Sequence, residues 1–410
     1  MTRGEGGRRD ARRLALARFI SMAGSGAASI ALAAELWART GDPVWVAAAA
    51  LSTSLVAGLL TPFAGALVDR LDRRRVMVTS DALAGVVFTL LAVAAFLEAP
   101  PAVLVLLAAT AAVCETPFIP ASRASVPNLV DDADLAWANG LIAQVGGISM
   151  MLGPVIGGTL AGAIGAPAAL AVNAASFTAS LWLVTSIRGR FGNRPCGMAR
   201  EPGAVRAGFR FVASEPLLRA VIASGFVAFI GVGFVIAANP AMADLLGAGA
   251  TGLGLMSASW GVGVVIGARL SPRLLRSERL VGWAVAGFAL QGAGHLLVWR
   301  LPDLATVMVA FAVGGMGGGI ADPARQTLIQ RRAPDAVRGR VFATMEAVGW
   351  ASFAVSLVAA GALVEQVGIR PSYLISGLLF LLGTLLMAVM AGSRGLRSPV
   401  PAPAVAAENA

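Results

Sequence analysis

The sequence predicts an all-α integral membrane protein whose twelve transmembrane helices form two pseudo-symmetric six-helix bundles. Of the 410 residues, 57% are hydrophobic and only 13% are charged, whereas a soluble globular chain is about half apolar and one quarter charged. The apolar residues form long runs, not the alternating segments of about ten residues typical of a membrane β-barrel. Arginine is concentrated in every second loop between these runs. A helical membrane protein follows from these three features.

Twelve apolar runs can be marked along the chain. Most reach the roughly 20 residues that a helix needs to cross a hydrocarbon core of ~30 Å. They are rich in Gly, Ala and Ser, and small residues let helix backbones approach closely in lipid. The predicted spans are at about 14–38, 43–67, 76–98, 101–121, 136–163, 167–187, 217–240, 251–271, 280–300, 303–322, 341–364 and 371–391.

The basic residues predict the orientation of the chain. Lysine is absent, so all 32 basic residues are arginine. Only Arg39, Arg300 and Arg370 fall on the predicted outer side. Every other arginine falls in the N-terminal segment, in a loop after an even-numbered span, in the tail, or at the inner end of a span. Positive charge in short loops marks the cytoplasmic side of a membrane. We therefore expect a multi-pass protein of the cell membrane with both termini in the cytoplasm. Because the net charge of +10 is spread in this way, we expect no nucleic-acid partner.

The longest polar segment divides the chain into two halves of six spans. The expected organisation is a cytoplasmic segment at 1–13, an N-terminal bundle at 14–187, a linker at 188–216, a C-terminal bundle at 217–391 and a tail at 392–410. The halves resemble each other after their fourth spans, where Pro120 and Pro323 are equivalent in "PASRASVPNL" and "DPARQTLIQ". Repeated halves of this kind are typical of transporters with a central site.

A charged motif, "GALVDRLDRRRVM", lies between the second and third spans. It resembles the loop at this place in the major facilitator superfamily, whose pattern is Gly-x-Leu-x-Asp-Arg-x-Gly-Arg-Arg/Lys. The sequence departs from this pattern at Asp72, which replaces the usual second Gly. The resemblance implies the major facilitator fold and a gating latch that breaks and re-forms during alternating access. The matching residues are Gly65, Leu67, Asp69, Arg70, Arg73 and Arg74.

A second motif lies in span five, "GLIAQVGGISMMLGPVIGG". It resembles the kink motif of the drug:proton antiporter branch of the superfamily, with Ser149 where a further Gly is expected. A proline removes a helix hydrogen bond and bends a span, and glycines allow close packing around the bend. The resemblance implies export. The matching residues are Gly140, Gly153, Pro154, Gly157 and Gly158.

Two further stretches, "GFRFVASEPLLRAVI" and "LIQRRAPDAVRGRVFA", resemble siderophore-exporter and macrolide-efflux-like members of the same superfamily. Together the resemblances cover nearly all of residues 14–391.

Three carboxylates within predicted spans are candidates for proton coupling. A charge inside the bilayer is costly, so each such residue is a functional candidate by default. Glu115, in span four, is the first choice; the alternatives are an ion pair with Arg123 or support for the backbone next to Pro117. Asp81 and Glu346 are further candidates, with the alternative that they complete the charge network around the latch motif.

The function that best fits these features is secondary active transport, with proton-coupled export of a small amphipathic compound such as a drug-like metabolite or a siderophore. An importer or uniporter of the same fold remains open, and a membrane-embedded transferase is a third hypothesis. An ATP-driven pump is disfavoured for this chain, because the phosphate-binding loop requires a lysine.

The remaining expectations concern ligands and partners. Cys114 lies inside a span and Cys196 lies in the linker, so we expect neither a disulfide nor a metal site, and we expect no cofactor. His295, the single histidine, is expected to pack near the outer end of span nine. The expected partners are a small-molecule substrate, protons and membrane lipids, and we expect the protein to be a monomer.

Overall fold

The structure is a computed structural model that describes residues 3–189, 191, 204–275, 279–333 and 335–397. Within these ranges the secondary structure consists of α-helices with short connections. The helices are α1 (Arg3–Thr40), α2 (Pro43–Arg70), α3 (Arg73–Phe96), α4 (Pro101–Glu115), α5 (Phe118–Leu129), α6 (Asp132–Ile164), α7 (Ala166–Ser186), α8 (Ala204–Ser214), α9 (Pro216–Leu245), α10 (Gly249–Leu275), α11 (Leu280–Val298), α12 (Leu304–Arg332), α13 (Asp335–Val367) and α14 (Ile369–Arg397).

The described helices provide 12 segments long and apolar enough to cross a membrane. The prediction of a twelve-span helical membrane protein is therefore confirmed. Helices α4 and α5 together form one of these spans, Pro101–Leu129, which extends beyond the end expected at residue 121. The helix is interrupted at Thr116 and Pro117, where the proline provides no backbone N–H for a helical hydrogen bond.

The chain divides into two compact units. Unit 1 comprises Met1–Met198 together with Asn239–Ala258, and unit 2 comprises Ala199–Ala238 and Ser259–Ala410. The turn between α9 and α10 thus groups with the first half of the chain. In unit 1 this turn contacts α1, since the Trp37 indole N–H donates to the Asp244 carboxylate at 2.6 Å.

The core of unit 1 is built by close helix packing. Phe88 of α3 stacks on Phe177 of α7 with ring centroids 5.4 Å apart. Helices α1 and α6 approach so closely that a Cβ added to Gly153 would lie 2.9 Å from the backbone oxygen of Ala23. Small residues thus allow the backbone contact that replaces hydrophobic association in lipid.

The core of unit 2 repeats this use of small residues. A Cβ added to Gly294 of α11 would lie 2.8 Å from the Cα of Gly314 in α12. His295 is buried, stacks on Trp260 at 5.6 Å, and shares a hydrogen bond of 2.9 Å with the Ser376 hydroxyl. In the structure His295 is therefore a packed residue of this unit.

Candidate functional site

A cavity of about 280 Å³ in unit 1 holds the candidate carboxylate Glu115. Its walls come from α1, α2, α3 and the α4–α5 span. Glu115 is the last residue of α4, directly before the helix interruption. The Ser25 hydroxyl of α1 donates to its Oε2 atom at 2.7 Å. The fold thus joins two residues that are 90 positions apart in the chain.

Three further hydroxyls line the cavity, and each is already used as a donor. Ser29 donates to the Gly26 carbonyl at 2.8 Å, and Thr53 donates to the Ala49 carbonyl at 3.0 Å. Thr116 donates to a carbonyl of its own helix at 2.6 Å. A hydroxyl has one proton and two lone pairs, so these oxygens can act only as acceptors toward the cavity. With the carboxylate they form a site suited to a proton or to a hydrogen-bond-donating cation.

The ion pair considered for Glu115 is not found in the described part of the chain. No salt bridge joins Glu115 to Arg123 there, and Ser25 is the side chain that contacts the carboxylate. The other alternative is that Glu115 supports the backbone next to Pro117. The Thr116 N–H at this point donates to the Ala112 carbonyl at 3.1 Å, so it has a partner without the Glu115 side chain. Glu115 therefore faces the cavity without a described counter-ion.

Asp81 does not line this cavity, but it is close enough to Glu115 for the two negative charges to repel each other. Asp81 is buried in α3 with 1% exposure and faces Ser180 of α7. Its Oδ2 atom has no hydrogen-bond partner among the described residues, and no described arginine pairs with it. Glu346 lies in α13, but its side chain is outside the described residues. Its role as a coupling group stays a prediction.

The charged motif forms the turn between α2 and α3. Its first four residues, Gly65, Leu67, Asp69 and Arg70, lie in α2, and their side chains are outside the described residues. Asp72 is the N-cap of α3 and accepts a hydrogen bond of 2.9 Å from the Arg75 backbone N–H. Its φ of −62° is an ordinary value, so glycine is not required at this turn.

The last two residues of the motif bind backbone oxygens of unit 1. Arg73 is buried and donates to the carbonyls of Ala124 at 2.6 Å and Phe191 at 3.3 Å. Arg74 donates to the carbonyl of Thr185, in the last turn of α7. The C-terminal carbonyls of a helix lack partners inside the helix and attract cations. Both arginines thus attach the start of α3 to neighbouring segments.

The kink motif lies on two packed faces of α6. On one face a Cβ at Gly157 would overlap the backbone oxygen of Ala27 in α1. On the other, a Cβ at Gly158 would lie 2.7 Å from the Cα of Gly254 in α10. Pro154 lies inside α6, directly after Gly153 and before Gly157 and Gly158. The surroundings of Gly140 are outside the described residues.

Sequence reasoning missed the polar wall around Glu115. Ser25, Ser29 and Thr53 lie within apolar spans, and no local motif distinguishes them from the other hydroxyl residues of those spans. Their helical spacing provides one signal, since Ser25 and Ser29 are four positions apart and so share a face of α1. That spacing alone does not show that the face lines a cavity.

Comparison with known proteins decides the family. Residues 10–397 match the family described as transmembrane secretion effector. The chain belongs to this family of major facilitator superfamily transporters. The resemblance drawn from the two motifs is therefore confirmed.

Curated relatives cover most of the chain. The chain is 26% identical over 372 residues to the multidrug efflux pump Tap of Mycobacterium tuberculosis, covering 87% of this chain and 88% of Tap. It is 30% identical over 415 residues to the uncharacterized MFS-type transporter Rv0037c of the same species, covering 93% of this chain and 91% of that protein. The chain is thus a membrane transporter of small molecules and not an enzyme, which removes the transferase hypothesis.

Solved structures share the fold at low sequence identity. The nucleoside transporter NupG matches with a TM-score of 0.75 and 12% identity, covering 93% of this chain and 98% of that one. A bacterial homologue of the iron transporter ferroportin, in its inward-facing state, matches with a TM-score of 0.75 and 16% identity, covering 94% and 99%. These similarities confirm the major facilitator fold and carry no information on the cargo.

Proposed function

We propose that this transporter exports a small amphipathic compound, a drug-like metabolite or a siderophore, in exchange for protons. The observation that carries the proposal is the Glu115 carboxylate, bound by Ser25 in a cavity whose other hydroxyls act as acceptors. Such a site binds a proton or releases it without moving a counter-ion. The direction is supported by the family description as a secretion effector and by the multidrug efflux pump among the relatives.

The membrane potential supplies enough energy for this exchange. One charge crossing 100 mV releases about 2.3 kcal/mol, and a tenfold concentration gradient requires about 1.4 kcal/mol. One proton per cargo molecule therefore sustains a gradient of more than tenfold. One carboxylate that is accessible from each side in turn is enough for this exchange, and in this proposal Glu115 is that carboxylate.

The two motifs would provide the moving parts. In this proposal the residues from Gly65 to Arg74 form a latch on the cytoplasmic side, and the glycines around Pro154 let α6 move against α1. Supporting contacts are those of Arg73 and Arg74 with backbone carbonyls and the backbone approach at Gly157. The protein would act as a monomer in the cell membrane, with both termini in the cytoplasm and lipid around its spans.

Everted membrane vesicles provide the test. The gene is expressed in a host that lacks its major efflux pumps, and a panel of amphipathic antibiotics identifies a compound to which the host becomes resistant. Vesicles acidified inside should then accumulate the labelled compound, and a protonophore should stop the accumulation. Accumulation that persists with the protonophore would exclude proton coupling. Uptake of the compound by intact cells would instead favour an importer.

A further inference from the structure

A second cavity of unit 1, of about 700 Å³, contains two arginines. Arg18 of α1 and Arg123 of α5 lie on its wall, together with apolar side chains of α1 and α6 that include Met22, Ile142 and Met150. Its volume falls in the range of about 300–1,000 Å³ found for small-molecule sites. The cavity does not include Glu115, and it is therefore distinct from the site described above.

Arg18 is not a residue of the helix end. It lies four positions after the start of the apolar run predicted at about 14–38, which places it about one turn inside that run. Its side chain is buried, with 4% exposure. Within the described part of the chain its Nη1 donates to the Ser122 hydroxyl at 3.2 Å, whereas its Nε has no partner. A buried arginine inside a span is costly and is a functional candidate by default.

The described residues provide no anion for this pair of arginines. Arg123 is close enough to Arg18 for the two charges to repel each other, and neither forms an ion pair with a described carboxylate. Asp10 of α1 and Asp134 of α6 pair with other arginines: Asp10 with Arg13 at 3.6 Å, and Asp134 with Arg8 at 2.6 Å. An anion in the cavity would relieve this repulsion.

We propose that Arg18 and Arg123 bind the carboxylate or phosphate group of an amphipathic anion, carried either by the cargo or by a lipid headgroup. Guanidinium groups present several N–H donors in a plane that matches these groups. The apolar side chains of the same cavity accept the hydrocarbon part of the ligand. Where the cargo carries the anion, the inference rests on the proposed transport function and narrows the class of substrate.

The position of the cavity along α1 fits a cargo with two polar ends. Arg18 and Ser25 are seven residues apart, which places them about two turns or ~10 Å apart on the same face of the helix. The arginine cavity and the Glu115 cavity thus follow one another along α1. In this proposal the anionic group of the cargo lies at the first site and its proton or donor group at the second.

Binding to the full chain in nanodiscs of phosphatidylcholine tests the proposal without any transport step. The probe is phenyl phosphate, and benzyltrimethylammonium is the comparison, since both carry a phenyl ring but their charges are opposite. We expect isothermal titration to show at least tenfold tighter binding of phenyl phosphate. Arg18→Gln and Arg123→Gln should each weaken that binding at least tenfold, with Arg18→Lys in between. Because no gradient is applied, a failure of proton coupling leaves this result unchanged.

Controls show whether the anion comes from the cargo or from a lipid headgroup, and whether its binding depends on the two cavity arginines. Arg75→Gln removes an exposed arginine outside the cavity and should bind phenyl phosphate like the native chain. If a lipid headgroup is the occupant, phosphatidylglycerol in the nanodisc should weaken phenyl phosphate binding by competition; if the cargo is, it should not. If Arg18→Gln fails to fold, the phenyl phosphate affinity of Arg123→Gln, which changes an exposed residue, tests the proposal instead. Equal affinity for both probes, or unchanged affinity in Arg123→Gln, would overturn the proposal.

Discussion

The Ser25 hydroxyl donates a hydrogen bond of 2.7 Å to the Glu115 carboxylate and so joins α1 to the end of α4. If Glu115 carries the coupling proton, Glu115→Gln keeps the shape of the side chain but cannot change charge. We expect vesicles with this variant to lose all accumulation of cargo driven by a pH gradient. Substrate binding and exchange down a cargo gradient should remain, because neither needs proton release.

Two variants sharpen this test. Ser25→Ala removes a hydrogen bond to a charged group, which is worth about 1.5–3 kcal/mol, and should shift the pH at which transport is half-maximal without abolishing transport. Glu98→Gln changes an exposed carboxylate outside the cavity and should transport normally. If Glu115→Gln vesicles still concentrate cargo under a pH gradient, the assignment is wrong, and Asp81 becomes the next candidate.

The backbone contact between α1 and α6 predicts a sharp difference between two glycines of one helix. A Cβ at Gly157 would overlap the oxygen of Ala27, while a Cβ at Gly147 would meet nothing within 4 Å. We expect Gly157→Ala to destabilise the protein by about 1–3 kcal/mol, the usual cost of overpacking. Thermal unfolding of the purified protein in detergent measures this effect. Gly147→Ala is the matched control and should unfold at the native temperature or above, and equal midpoints for both variants would contradict the close approach.

The sequence predicted the spans well because run length and arginine position act locally. It did not predict the burial of Arg18, which belongs by sequence to the basic N-terminal flank but is buried in α1 and bonds to Ser122. Its environment depends on how α5 packs, and no local pattern records that packing. For the same reason the partner of Glu115 could not be chosen among the many hydroxyls of the spans. Long-range contacts, not helix formation, were the missing information.

Asp72 is the N-cap of α3 at the turn after α2. Its carboxylate accepts a hydrogen bond from the Arg75 backbone N–H at the start of α3. We expect Asp72→Ala to lower stability by about 1 kcal/mol, the typical cost of losing an N-cap. Asp72→Asn keeps a capping oxygen and should be nearly neutral. Chemical unfolding of both variants in the same detergent checks this order, and a larger loss for Asn than for Ala would refute the cap.

The latch hypothesis predicts that Asp69→Asn separates transport from membrane insertion. The substitution keeps the shape of the side chain and removes the charge on which a charge-based latch depends. Transport should fall at least tenfold, while the amount of protein in the membrane should stay at the native level. Arg75→Gln is the control for the loss of a charge near the same turn. Normal transport by a well-expressed Asp69→Asn protein would mean that the cluster only fixes the orientation of the chain.

The arginine distribution predicts that Cys196 faces the cytoplasm. This residue lies in the linker between the halves, outside the described part of the chain, so its side of the membrane rests on the positive-inside rule. An impermeant maleimide should leave intact cells unlabelled and should label everted vesicles. Cys114, the other cysteine, lies within a span, and Cys196→Ser should therefore remove the vesicle signal. Strong labelling of Cys196 from outside intact cells would reverse the predicted orientation and place the latch motif on the outer side.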